Sequence, residues 1–91
     1  MARILVINPN ATETCTAAID RAAAPFRLAG GPLVDCLTNL EGPPGIQSQA
    51  DSDSVIPHLH AICQREAAEA YVVACFSDPG VHSLRERTGR P

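Results

Sequence analysis

The residue best placed for chemistry in this 91-residue chain is Cys75, within Val72-Val73-Ala74-Cys75-Phe76-Ser77-Asp78-Pro79-Gly80. It stands at the mouth of an apolar run and just before the expected start of a helix. The partial positive charge of a helix N-terminus favours a thiolate there. Ser77 and the backbone N–H groups of the turn could hold an anionic group of a substrate beside it. Position alone leaves a second reading open, because a free cysteine is often a small core residue. Asn8 and Asn10 form another polar pair that could donate amide hydrogen bonds to a carboxylate or imide carbonyl. Their residue types equally suit a turn and a helix cap, and without further support that reading is preferred.

Cys15, Cys36 and Cys63 fall on expected helices or within an expected strand, so they read as buried, inert thiols. Cys75 is therefore expected to react first of the four with an alkylating reagent. The four cysteines lie 21, 27 and 12 residues apart with no C-x-x-C pair, matching neither a zinc module nor a clear disulfide framework. Free thiols are the expectation in a reducing compartment. His58, His60 and His82 form no metal spacing with carboxylates and read as surface positions on helices, so no metal ligand is assigned.

These residues need strands and helices to hold them. Ile4–Ile7 is a continuous apolar run of the kind found in a strand buried on both faces of a parallel sheet. Asn10 with Glu13 resembles a capping box ahead of an Ala-rich helix running to about Ala24 and ended by Pro25. Leu33–Leu40 reads as a second strand, and Gly42-Pro43-Pro44-Gly45 as an irregular loop. Ser48, Asp51, Asp53 and Ser54 offer several caps for the next helix. Leu59, Ile62, Cys63, Ala67 and Ala70 would form its buried stripe. Tyr71–Phe76 reads as the third strand. Asp78-Pro79-Gly80 is expected to set an N-cap and a helix-opening proline ahead of a last helix, Val81 to about Thr88, that stops at Gly89.

The order is βαβαβα with crossovers long enough for parallel pairing, which predicts a three-layer α/β fold with an open parallel sheet. Right-handed crossovers then predict strand order 2-1-3, the flavodoxin-like arrangement. Ligands of such sheets bind beyond the carboxyl ends of the strands, where Asn8–Thr12, Asn39–Gln49 and Cys75–Gly80 emerge.

Composition narrows the classes of function. Seven Arg, no Lys and ten acidic residues give a net charge of −3, and there is no basic cluster for nucleic acid or an anionic membrane surface. The N-terminal apolar run is too short for a signal-peptide core, and no stretch approaches a membrane span. A cytoplasmic location is the default expectation. At 45% hydrophobic residues the chain should fold, with a core of Ala, Leu, Ile and Val because aromatics total three.

Three segments carry a family resemblance in order and spacing: Arg3-Ile4-Leu5-Val6-Ile7-Asn8-Pro9-Asn10-Ala11-Thr12, Gly42-Pro43-Pro44-Gly45-Ile46-Gln47-Ser48, and the run from Val72 to Gly80. Together they resemble the hydantoin racemase group of the aspartate/glutamate racemase superfamily. The resemblance implies a cofactor-independent racemase in which two cysteines act on opposite faces of a carbonyl-flanked stereocentre. It implies Cys75 as the first of them, and substrate contacts from Asn8, Asn10, Ile46, Gln47, Ser48, Phe76 and Ser77. Substrates would be hydantoins, allantoin or amino acids, and full-length relatives are expected to be homo-oligomers.

The sequence departs from the family pattern at Gln47, where Glu is common, and at Ser77, where Gly is common. Residues 1–91 correspond to the N-terminal part of one lobe of a two-lobed racemase fold. The expectation is thus a truncated chain, lacking the second lobe and second cysteine and inactive alone. Two other functions stay open: a decarboxylase or cis-trans isomerase of the same superfamily, and a non-catalytic module that pairs through an exposed third strand.

Overall fold

Ile4-Leu5-Val6-Ile7 is apolar throughout because its strand is the central one and is covered on both faces. In the computed structural model, which describes residues 2–91, β1 (Arg3–Asn8) pairs in parallel with β2 (Leu33–Thr38) on one side and β3 (Ala70–Val73) on the other. The order is β2-β1-β3, as the crossover argument predicts. Ile7 sits opposite Leu37 of β2 and Val73 of β3, so the carboxyl ends of the strands lie level.

Alternation along β1 divides the molecule into layers. Leu5 and Ile7 are fully buried in one core with Val55, Leu59, Ile62 and Leu84. These come from the far side of the sheet, where α2 (Gln49–Ser54), α3 (Ile56–Arg65) and α4 (Val81–Thr88) lie. Burying each such side chain contributes about 1.5–3 kcal/mol. Asn8 and Thr38 face the other layer, where both reach Thr16 of α1 (Glu13–Ala23).

Several boundaries differ from the sequence expectation, each for a local reason. Helix α1 begins at Glu13 without the expected box: Asn10 Oδ1 accepts from the Thr12 N–H at 2.9 Å, and Thr12 Oγ1 donates to the Pro44 carbonyl at 2.7 Å. Pro25 does not end the chain's turning but sits in a short 3₁₀ turn, Ala24–Phe26. The second strand stops at Thr38, because the Asn39 N–H makes a last rung to the Asn8 carbonyl while the Asn39 carbonyl accepts from the Gly42 N–H to close a turn. The single middle helix is two, broken at Val55, with Pro57 in the first turn of α3. Ala67 lies past α3 and is exposed, and Ala70 belongs to β3, so only Leu59, Ile62 and Cys63 form the stripe.

The third strand is shorter than Tyr71–Phe76. The Ala74 N–H makes a last rung to the Ile7 carbonyl, and the Cys75 N–H then turns back onto the Val73 carbonyl at 2.9 Å. Neither Asp78 nor Pro79 starts α4. Asp78 is left-handed (φ 48°) and Gly80 (φ 68°) precedes the first helical residue, Val81. A Cβ on Gly80 would come within 3.0 Å of Ile56 Cγ2, so glycine suits both its conformation and its packing.

Arg3 ties the amino ends of the strands together. Its guanidinium contacts Asp35 at 2.7 Å and Glu66 at 3.1 Å, and its backbone N–H donates to the Glu69 carboxylate. That donor holds the Glu69 carboxyl below the usual carboxylate range. A depressed folded-state value adds stability above the unfolded value and loses it as pH falls through the folded one. Urea unfolding across the acid range should therefore show a shallower loss of stability for Glu69→Gln than for the unsubstituted chain. Parallel profiles would contradict this reading.

Candidate functional site

Three chain reversals meet at the carboxyl edge of the sheet, and hydrogen bonds to β1 hold two of them. Asn8 is buried, and its side-chain amide N–H2 faces Asn10 Oδ1 at 2.8 Å, Thr16 Oγ1 at 3.0 Å and the Thr12 carbonyl at 3.3 Å. Its Oδ1 accepts from the Asn10 N–H at 3.2 Å. Both asparagines are thus engaged in shaping the β1–α1 turn. The neighbouring Gly42–Gly45 loop is drawn in by the Ala11 N–H, which donates to the Pro43 carbonyl at 2.9 Å.

Asn39 is the counterpart just after β2, and nothing in the sequence singled it out. It is 3% exposed, and its Nδ2 donates to the Pro9 carbonyl at 2.9 Å and lies 3.1 Å from His58 Nδ1. Donation to that nitrogen requires the His58 proton to reside on Nε2. His58 is therefore a half-buried partner of the loop rather than a surface residue. His60 pairs with Ser83 Oγ through Nε2, and His82 is exposed.

The third reversal carries Cys75. Freed from β3, its side chain enters a depression of about 320 Å³ at the sheet edge. Ile46, Gln47, Ser48 and Gln49 form one wall; Cys75, Phe76 and Ser77 form the other, with Ser52 of α2 between them. Cys75 Sγ lies 3.3 Å from Ser77 Oγ, which lies 2.9 Å from Ser52 Oγ. Phe76 projects fully into solvent at the rim. The loop wall is fixed by Ser48, whose Oγ accepts from the Asp51 N–H, while Asp51 accepts from the Gln47 N–H, both at 3.0 Å.

Six residues implicated by sequence, Ile46, Gln47, Ser48, Cys75, Phe76 and Ser77, thus share one depression. Asn8 and Asn10 do not line it. Ser52 does, and its place in a Ser- and Asp-rich run offered no signal separating it from the capping residues around it. The expected neighbour of Cys75, the N-terminus of α4, begins only at Val81, with a turn closed by the Asp78 N–H on the Cys75 carbonyl intervening.

The remaining thiols are set apart. All four cysteines are free, but only Cys63 is buried as expected: Cys36 is half-buried, and Cys15 is exposed because α1 buries none of its residues. Burial pushes the Cys63 thiol up. Burial also pushes Cys36 up, with Asp20 adding to the effect. A second depression, of about 270 Å³, lies near the amino end of β3 between α3 and α4, against His60, Tyr71, Arg87 and Arg90. Among the described residues no cluster of His, Cys, Asp or Glu could hold a metal ion, and no helix is long and apolar enough to cross a membrane.

An open parallel α/β sheet with a thiol in a depression at its carboxyl edge defines a class of small-molecule sites. Comparison with known proteins narrows it. The Asp/Glu/Hydantoin racemase family model matches residues 4–91, and the chain belongs to that family. Over 98% of its length the chain is 37% identical to a hydantoin racemase of Paenarthrobacter aurescens and 35% identical to one of Pseudomonas sp. (strain NS671). It spans 39% and 36% of those relatives' lengths. Its fold superposes on an allantoin racemase from Klebsiella pneumoniae with a TM-score of 0.81 and 30% identity, covering 94% of this chain and 36% of that one.

Two outcomes test this arrangement. Asn39→Ala leaves the Pro9 carbonyl without its donor and should cost about 1–3 kcal/mol in urea unfolding, and a loss below half a kcal/mol would contradict the role given to Asn39. Iodoacetamide labelling with peptide mapping near neutral pH should modify Cys75 and Cys15 ahead of Cys36, with Cys63 last. Modification of Cys63 or Cys36 before Cys75 in the folded chain would undo the assignment of Cys75 to an open site.

Proposed function

We propose that residues 1–91 supply one wall of a racemase active site for a 5-substituted hydantoin, allantoin or a related small molecule with a carbonyl-flanked C–H. The observation that carries this is the shared depression of Cys75 with Ile46, Gln47, Ser48, Phe76 and Ser77, in a member of this racemase family. The Cys75 thiolate takes the proton from the stereocentre, giving a thiol and an enolate. A second acid on the opposite face returns a proton to the same carbon, inverting it. Hydrogen bonds to the enolate oxygen lower the barrier to the first step.

The chain's own groups fit such a substrate. Gln47 and Ser48 present polar atoms on the loop wall, and Ser77 presents a hydroxyl beside the sulfur. Phe76 offers an exposed apolar surface for a substituent or for an enclosing part of the protein. Asn8 and Asn10 act on substrate indirectly, by holding the loop that carries Ile46–Ser48. Cys15, Cys36 and Cys63 lie on α1, β2 and α3, outside this depression, so the opposing acid comes from beyond these 91 residues. No cofactor is required by this chemistry. The corresponding domain assignment is the N-terminal part of one lobe of a two-lobed racemase.

Substrate protection tests the proposal without requiring turnover. One of these compounds should slow iodoacetamide labelling of Cys75 saturably while leaving Cys15 unaffected. The 91-residue chain alone should not invert a single enantiomer beyond the buffer blank in chiral chromatography. Failure of hydantoins, allantoin and amino acids alike to protect Cys75 would overturn the substrate assignment. Inversion by this chain that is lost in Cys75→Ala would overturn the requirement for an acid outside it, and would point to a second copy lending its own Cys75.

A further inference from the structure

Ser52 is the one fully enclosed polar side chain around the depression, at 2% exposure on α2. Among the described residues its hydroxyl makes one hydrogen bond, to Ser77 Oγ at 2.9 Å. Ser77 Oγ in turn lies 3.3 Å from Cys75 Sγ, inside the range for a bond to sulfur. The three atoms form a line from the interior of the protein to the thiol.

The direction of that line follows from the chemistry of hydroxyls. Each has one hydrogen to donate and two lone pairs to accept with. A buried hydroxyl with a single partner leaves less unsatisfied by donating its hydrogen than by accepting and keeping that hydrogen unpaired. Ser52 therefore donates to Ser77. The hydrogen of Ser77 is then free of Ser52, and among the described residues the sulfur of Cys75 is the acceptor within its reach. Successive donation in one direction polarises each member and strengthens the last bond.

We propose that Ser52 is a positioning residue: acting through Ser77, it fixes a hydroxyl donor on the Cys75 sulfur. The hydrogen bond holds the sulfur on the side of the depression and occupies one of its lone pairs. Its remaining lone pairs face the space where a substrate C–H would lie, which sets the sulfur to receive a proton. The catalytic meaning of this relay rests on the racemase reading above, whereas the relay itself is a property of three side chains that can be measured without substrate.

The test is a double-substitution cycle read by iodoacetamide labelling of Cys75 at one fixed pH near neutrality, with Cys15 as internal reference and protection of Cys63 as the check on folding. Ser77→Ala should lower the ratio of Cys75 to Cys15 labelling by about threefold, the size expected for one hydrogen bond to a reacting group. Ser52→Ala should lower it by a comparable factor, and the double substitution should lower it no further. Ser77→Thr, which keeps the hydroxyl at an exposed position, should restore the ratio. Should Ser52→Ala expose Cys63, Ser52→Cys fills the same space with a poor donor and should give the same drop.

An unchanged ratio in Ser77→Ala, or in Ser52→Ala beside an altered Ser77→Ala, overturns the relay, as does a double substitution whose effect is the product of the two. Those results leave the racemase reading intact. Absence of substrate protection at Cys75 counts against the reaction and leaves the relay standing.

Discussion

The two-sided pairing of β1 is the constraint on which the rest of the molecule depends. A strand hydrogen-bonded along both edges satisfies its backbone within the protein and, with helices over both faces, its side chains are buried from Leu5 to Asn8. Leu5 and Ile7 lose all exposure to the α2–α4 side, and Asn8 is enclosed on the α1 side. Parallel pairing in level register then brings the ends of all three strands to one edge. The chain has to reverse three times there, and those reversals supply the residues of the candidate site.

Different forces hold the two walls of the depression. The Ile46–Gln49 wall depends on polar contacts, since Pro43 and Pro44 are tied to Ala11 and Thr12, and Asn39 is tied to Pro9. A Cβ on Gly42 would fall 2.5 Å from the Pro9 carbonyl oxygen, so the loop approaches β1 as closely as backbone permits. The Cys75–Ser77 wall depends on the early end of β3. There the backbone curls onto Val73, while the buried Pro79 and the Gly80–Ile56 contact seat the following turn. One wall thus presents polar side chains to the depression, and the other a thiol and an aromatic surface.

The sheet was legible in the sequence because burial on both faces leaves a continuous apolar run, as in Ile4–Ile7. The topology argument brought three loops to the carboxyl edge, of which two line the depression while Asn8 and Asn10 stay outside it. The boundaries were less legible, since capping and turn residues compete for the same backbone donors. Asn10 resembled the cap of α1, yet its side chain closes a turn onto Thr12. The span of α4 from Val81 was legible, but Asp78-Pro79 resembled its cap and first turn, whereas Asp78 and Gly80 are left-handed and Gly80 takes the cap position. Asn39 and Ser52 had no periodicity to betray them, because their roles come from tertiary partners at Pro9, His58 and Ser77.

Small-molecule binding at the carboxyl edge, between the two walls, is the central proposal, and backbone-amide chemical shifts measure it most directly. Titrating the 15N-labelled chain with a 5-substituted hydantoin or allantoin should move the resonances of Ile46, Gln47, Ser48, Phe76 and Ser77 along saturable curves. Tyr71, Arg87 and Arg90, at the depression between α3 and α4, should stay in place. Saturable shifts confined to Tyr71, Arg87 and Arg90, with the carboxyl edge unmoved, would contradict the assignment of the site.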